Sequence, residues 1–202
     1  MSPIYNSLFI LIILIICLYY LKHEPFASQD IVASIDGNTY SVQEYPNPEK
    51  AANTLAQLRQ KLKLLRDHMG KKYPNYPNVK RLLDRYNPDN VFEVEHEDNV
   101  TSYVINKGEE FGFCLRNKNI DKTFHQVNVL MFVAIHELAH IMSVSYGHNK
   151  EFYDNFVFLL KESEKCGSHT PINFYRYPHN YCGMVIRTNP LFEKNRDAEN
   201  YQ

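Results

Sequence analysis

The most pronounced pattern in the chain is an apolar run close to its start. Residues 8–21 read LFILIILIICLYYL, and extending the run back to Ile4 adds only Asn6 and Ser7 as polar residues. As a helix, residues 4–21 would span about 27 Å, close to the ~30 Å hydrocarbon core of a bilayer. The pattern predicts a transmembrane anchor at residues 4–21, and therefore a single-pass membrane protein that contacts the lipid bilayer through this segment.

Two other interpretations of this run are a cleaved signal peptide and a buried core helix. A signal peptide would carry a basic stretch before the apolar run, and residues 25–27 (Pro-Phe-Ala) make a poor cleavage site. The run is also uncharged, and Tyr19 and Tyr20 stand where an interfacial aromatic belt would lie. An uncleaved anchor is the preferred prediction. Lys22 alone biases the body toward the cytosolic side, so its sidedness stays open.

The body of the chain alternates between helical and strand-like periodicity. Residues 22–48 are polar and mixed, which predicts a linker with short strands. Four leucines at three- to four-residue spacing predict a helix over residues 49–69 that Gly70 ends. A short helix follows at residues 79–86. Period-two alternation then predicts a small, partly antiparallel sheet, with strands at 91–96, 101–105 and 111–115. The predicted fold class is α+β.

A second long helix, predicted over residues 124–146, is apolar on nearly every face, as a central buried helix would be. It nevertheless carries His136, Glu137 and His140 in its middle. Burying three such groups costs several kcal/mol unless something compensates. A divalent metal ion and a solvent-filled cleft would compensate.

These residues form the pattern H-E-x-x-H. Side chains at i and i+4 of a helix lie one above the other, so His136 and His140 can reach one ion. Neutral imidazole suits Zn²⁺. Glu137 lies off the ligand face but within reach of a water activated by the metal, which makes it the candidate general base. The alternative is that both histidines are satisfied core residues.

A catalytic zinc needs a third protein ligand and an open position. His148 is the first candidate, because Gly147 can end the helix in a left-handed conformation and turn the chain back. Asn149 can then cap a following helix. Glu162 and Glu164 on that helix are the alternative ligands. Two further candidates, Tyr181 and His179, lie in a later aromatic loop and could polarise the substrate carbonyl, although such residues often only pack or face solvent.

Composition narrows the set of functions. A net charge of −1 gives no strong sign of nucleic-acid binding. Four cysteines with no C-x-x-C pair exclude a zinc ribbon and do not form a disulfide framework.

HELAH at 136–140, GHNKEF at 147–152 and YCGM at 181–184 resemble the WLM/SprT-like zinc metallopeptidases, in particular members encoded by large DNA viruses. The resemblance implies a zincin-like metallopeptidase domain, placed here at residues 49–190 before a polar tail at 191–202. It also implies that His136, His140 and His148 bind zinc and that Glu137 is catalytic.

The leading hypothesis is a membrane-anchored zinc endopeptidase that hydrolyses protein or peptide substrates in a host or virion membrane. One alternative is a non-catalytic, zinc-containing membrane or virion interaction protein. Another is a DNA-dependent peptidase that acts on nucleoproteins. The chain has neither a zinc ribbon nor a basic tail, so the DNA–protein crosslink role of some relatives is not implied.

Overall fold

The computed structural model describes residues 9–15, 28–94, 101–105, 108–118 and 121–193. The helices in these ranges are α1 (residues 9–15), α2 (Pro48–Lys72), α3 (Pro77–Arg85), α4 (Val127–Met142) and α5 (Lys150–Lys165). The strands are β1 (Ser28–Val32), β2 (Thr39–Gln43), β3 (Val91–Glu93), β4 (Ser102–Ile105), β5 (Glu110–Phe113), β6 (His179–Tyr181) and β7 (Met184–Ile186). The chain is a mixed α+β protein with small sheets, as the sequence predicts.

The strands form three small sheets within the described residues. In the central one the order is β3-β5-β4, with β3 parallel and β4 antiparallel to β5. Strands β1 and β2 pair antiparallel inside the predicted linker, and β2 buries Tyr40 and Val42. Strands β6 and β7 form a separate antiparallel hairpin. The linker therefore contributes to the core instead of only connecting it to the N-terminal segment.

Helix α4 lies at the centre of the fold. It contacts α2, α3, α5 and β4, and ten of its residues are buried. The side chains that it buries are mainly aliphatic, among them Leu130, Ile135 and Leu138. An all-round apolar helix needs neighbours on most of its sides, and α4 has them. The predicted metal-binding motif is thus carried by a helix that is packed on most of its sides.

Helix α2 continues through Gly70 to Lys72, so the predicted helix end was wrong. A Cβ atom on Gly70 would lie 3.2 Å from both Cδ atoms of Leu83 in α3. The glycine therefore lets α3 approach α2 closely. Close packing of the two helices explains the presence of a glycine at this position better than a helix end does.

Helix α4 is shorter than predicted, because it ends at Met142 and not at residue 146. Ser143 has extended backbone angles (φ −83°, ψ 145°), and its hydroxyl donates to the Ala139 carbonyl at 2.8 Å. The Arg81 Nε donates to the Met142 carbonyl at 2.8 Å, which satisfies one of the free carbonyls at the helix end. Gly147 does adopt a positive φ of 82°, but in the turn after the helix.

The predicted membrane anchor can be described only in part. The residues of α1 are apolar and exposed, from 43% at Ile13 to 65% at Phe9. Residues 4–8 and 16–21 of the anchor lie outside the described residues, as do 95–96, 106–107 and 194–202. Among the helices that are described, none combines the length and the apolar character needed to cross a bilayer.

A disulfide joins Cys114, which directly follows β5, to Cys182 in the β6–β7 turn. The two cysteines are 68 residues apart, and both α4 and α5 lie in the loop between them. Both cysteines are buried. The bond ties the β6–β7 hairpin to the central sheet. The spacing of the cysteines along the chain did not predict this bond, because the two residues meet only in the folded protein.

We expect the disulfide to stabilise the fold by about 4 kcal/mol, because it closes a long loop in the unfolded chain. Cys114→Ala should lower the free energy of unfolding by about this amount, measured by urea unfolding of the full-length chain in detergent without reductant. Cys166 is the matched control, since its thiol is free, and Cys166→Ala should cost less than about 1 kcal/mol. Equal stability of the two variants would contradict the structural role of the bond.

Candidate metal centre

Three histidine side chains converge on one point beside α4. His136 and His140 are one turn apart on the helix, and their Nε2 atoms are 3.3 Å apart. His148, from the turn that follows α4, places its Nε2 3.0 Å from that of His136 and 3.2 Å from that of His140. The structure thus brings together the three histidines singled out by the sequence.

This triangle fits a tetrahedral zinc ion. Nitrogen ligands at ~2.0–2.1 Å from zinc, at tetrahedral angles, lie about 3.3 Å from one another. The observed separations of 3.0–3.3 Å are close to that value. Three ring nitrogens facing one another can share few protons, so a cation is the natural partner for their lone pairs. The residues present therefore fit a metal ion.

The electrostatic environment favours neutral imidazoles. Burial, followed by the neighbouring His140 and His148, lowers the pKa of His136 to about 3. Burial and then His148 lower the pKa of His140 to about 4. Metal binding requires deprotonated ring nitrogens, and these two are already deprotonated at neutral pH.

The turn that carries His148 is held by Glu151 in the first turn of α5. The carboxylate of Glu151 accepts hydrogen bonds from the backbone N–H groups of Val144 and Ser145, at 2.9 and 3.0 Å. Its hydrogen bond with the Ser145 hydroxyl, followed by those with the two backbone groups, lowers the pKa of Glu151 to about 2. Asn149 caps α5 as predicted, accepting from the Phe152 N–H at 3.1 Å. Glu151 was not among the residues predicted from the sequence, although an acidic residue in the first turn of a helix was a visible signal.

Phe152 is a second contributor that the sequence analysis did not single out. Its ring is buried and lies 4.8, 4.3 and 4.7 Å, between centroids, from the rings of His136, His140 and His148. One aromatic side chain therefore packs against all three imidazoles and restricts their orientation. Its position in the apolar stripe of α5 indicated only burial.

A cavity of about 360 Å³ opens next to the histidines. His136, Glu137 and His148 line one side of it, and most of the remaining lining is apolar. Burial raises the pKa of Glu137 to about 7. Glu137 thus lies in the wall of the same cleft as His136 and His148.

Of the two candidates for polarising the substrate carbonyl, Tyr181 and His179, only Tyr181 lines the cavity. Tyr181 lines the cavity, is buried, and forms a hydrogen bond between its hydroxyl and that of Ser102. His179 is absent from the residues that line the cavity, and its ring packs 5.9 Å from that of His125. The geometry therefore favours Tyr181 over His179 as a group that could reach a substrate.

The alternative ligands Glu162 and Glu164 are not part of the histidine cluster. The carboxylate of Glu162 is bonded to His68 at 2.7 Å and to Lys72 at 2.9 Å. Burial alone would raise its pKa, but hydrogen bonds, led by that from Lys165, hold the pKa at about 2. Glu164 is exposed on the surface of α5. The geometry favours His148 as the third ligand.

A second group of metal-binding residue types surrounds the disulfide. Cys114, Cys182 and His125 are all buried, and their ligand atoms lie within 4.8 Å of one another. The Nε2 of His125 is 3.3 Å from the Sγ of Cys182 and accepts the Cys182 backbone N–H at 3.3 Å. In the structure the two sulfur atoms are bonded to each other, so they are not available as thiolates.

Comparison with known proteins identifies relatives in viruses. A family model described as the WLM domain matches residues 35–190. The chain is similar to an uncharacterized protein of Acanthamoeba polyphaga mimivirus, with 28% identity over 182 residues, which cover 88% of this chain and 92% of that protein. It is also similar to an uncharacterized protein of Invertebrate iridescent virus 6, with 28% identity over 145 residues, covering 70% of this chain and 76% of that protein.

Two solved structures of Wss1 from Saccharomyces cerevisiae are also similar to this chain. The first is 20% identical, has a TM-score of 0.47, and covers 62% of this chain and 87% of its own. The second, a mutant, is 20% identical, has a TM-score of 0.49, and covers 62% of this chain and 88% of its own.

The geometry predicts that the full-length chain binds about one zinc ion through the three histidines. His148→Ala should lose most of the zinc, because two ligands on one helix hold the ion poorly. Glu162→Gln and Glu164→Gln should keep it. Zinc per chain, measured by inductively coupled plasma mass spectrometry, checks this. Full zinc in His148→Ala together with loss in either glutamate variant would move the third ligand to α5.

Proposed function

This chain belongs to the WLM family, which points to a metallopeptidase-type hydrolase, and on that premise we propose that it is a zinc-dependent endopeptidase. One observation carries the proposal: three imidazole nitrogens converge on one point, and two of these histidines, His136 and His148, line the same cavity as Glu137. Proteins or peptides are the proposed substrates.

His136, His140 and His148 would hold the zinc ion. When bound, the ion supplies Lewis acidity, which lowers the pKa of a water molecule to about 7 and polarises a peptide carbonyl. Glu137 accepts the proton of the attacking water and later delivers it to the departing amine. Tyr181 lines the cavity, and its hydroxyl, which is hydrogen-bonded to that of Ser102, would donate to the carbonyl oxygen as negative charge develops on it.

The number of ligands favours an enzyme over the non-catalytic alternative. Structural zinc sites are closed by four protein ligands, whereas catalytic sites keep one position open. In the described part of the chain, the histidine group contains three such residues and faces a cavity. An open coordination position beside a carboxylate lets a water molecule or a substrate bind for hydrolysis. A purely structural site has no need of such a position.

Replacing the proposed base separates catalysis from metal binding. Glu137→Gln should keep the fold and the zinc but lower peptide cleavage by about 10²–10⁴-fold, because an amide cannot accept the proton. Cleavage of casein, an unfolded protein, by the full-length chain with and without DNA is the measurement.

Glu164→Gln is the matched control, because it makes the same chemical change on an exposed face of α5. Equal cleavage by Glu137→Gln and the parent would contradict the mechanism. Cleavage only when DNA is present would favour the nucleoprotein-directed alternative.

We also propose that residues 4–21 anchor the chain in a membrane. The support comes from α1, where consecutive apolar side chains are exposed instead of packed against the body. Exposed apolar surface of this kind needs a lipid or protein partner.

Full-length protein should therefore resist extraction from membranes by alkaline carbonate and by high salt, because the apolar segment holds it through burial and not through charge. A chain that begins at Lys22 should be soluble. Immunoblotting of the pellet and supernatant fractions checks both expectations. A mature chain whose N-terminus lies near residue 28 would instead establish a cleaved signal peptide.

A further inference from the structure

The β6–β7 hairpin has a register that determines where its backbone groups point. Cys182 and Gly183 form a two-residue turn, with positive φ values of 46° and 87°. Tyr181 pairs with Met184, and the next pair is Asn180 with Val185. In a hairpin with a two-residue turn, the pair beside the turn is hydrogen-bonded, and hydrogen-bonded and non-bonded pairs alternate. The backbone N–H and C=O of Asn180 and of Val185 therefore point outward, away from the partner strand.

The outer edge of β7 faces the cavity beside the three histidines. Met184, Val185 and Ile186 all line this cavity, together with Glu137. Successive side chains of a strand point to opposite faces, so a cavity that touches all three residues runs along the edge of the strand. Within the described residues, β7 pairs only with β6, and Val185 is 40% exposed. The outward backbone groups of Val185 are thus open to the cleft.

Part of the cavity wall is apolar. Phe132 and Val133 from α4 and Phe156 from α5 line the same cavity as β7, and these three residues are called the apolar wall. An extended peptide presents backbone donors and acceptors along its edge and side chains on alternate sides. Such a peptide satisfies the backbone of Val185 and fills the apolar wall at the same time, whereas a helix, whose backbone groups are already bonded internally, does not.

We propose that the outer edge of β7 binds the substrate as an added strand, through the N–H and C=O of Val185. An apolar substrate side chain next to the scissile bond then lies against Phe132, Val133 and Phe156. This inference rests on the proposed peptidase function, and it names the substrate class: extended, unfolded segments with an apolar residue at a fixed position beside the cleaved bond.

The edge is held in place before the substrate arrives. The disulfide from Cys114 to Cys182 and the hydrogen bond from the Cys182 N–H to His125 tie the turn to the body. The bond between Tyr181 and Ser102 ties the adjacent residue to β4. A pre-positioned edge avoids the entropic cost of ordering a loop during binding.

Proline substitution tests the backbone contact directly. Val185→Pro removes an N–H that the hairpin itself does not use, and proline is tolerated where that N–H faces outward from an edge strand. We expect kcat/KM for casein cleavage to fall about tenfold, mainly through KM. Asn180→Pro makes the same change at the paired position on β6 and should cleave like the parent. Unchanged zinc content confirms that each variant is folded.

A binding assay makes the inference independent of cleavage. Short fluorescein-labelled peptides tiled along casein should bind the Glu137→Gln chain, and N-methylation at one position of a bound peptide should weaken binding about tenfold by blocking donation to the Val185 carbonyl. If the peptides bind and N-methylation weakens their binding, but the parent cleaves no peptide, the proposed peptidase function is refuted and peptide binding at the β7 edge is retained. If Val185→Pro and Asn180→Pro cleave equally well, substrate binding at the β7 edge is refuted and the peptidase function is retained. Cleavage sites with no shared apolar position would overturn the assignment of the apolar wall.

Discussion

The convergence of three imidazole nitrogens beside a buried helix is the constraint on which the rest of the structure depends. Nitrogens 3.0–3.3 Å apart direct lone pairs at one another in a partly desolvated place, and a bound cation relieves that cost. Helix α4 supplies two of the three residues and is otherwise packed with aliphatic side chains. A rigid central helix holds the ligand geometry more tightly than a surface loop could.

The position of His148, the proposed third ligand, depends on a short turn that is held by several hydrogen bonds. Arg81 caps α4 at Met142 and lies 3.4 Å from the carboxylate of Glu151, which in turn binds the backbone of the turn. Phe152 then packs against all three imidazoles. The same segment thus ends one helix, begins the next and places His148, so the supporting contacts matter as much as the ligands themselves.

Features that depend on near neighbours in the chain could be predicted from the sequence. The i,i+4 spacing of His136 and His140 and the capping role of Asn149 are of this kind, as is the α+β class. Features that depend on contacts across the fold could not. The close approach of Leu83 accounts for the glycine at position 70 within α2, and the pairing of Cys114 with Cys182 arises only when β5 meets the β6–β7 turn. An acidic residue in the first turn of α5 was visible in the sequence, but the hydrogen bonds of Glu151 with the Val144 and Ser145 N–H groups and with the Ser145 hydroxyl depend on how the turn folds.

The proposed mechanism requires that His136, His140 and His148 hold the zinc ion. Zinc K-edge X-ray absorption of the zinc-loaded full-length chain tests it most directly, because nitrogen and sulfur ligands differ in distance. We expect nitrogen or oxygen scatterers at about 2.0–2.1 Å, with the outer-shell pattern of three imidazoles and no sulfur. Sulfur scatterers at about 2.3 Å would place the metal on Cys114 and Cys182 beside His125, and would contradict the account.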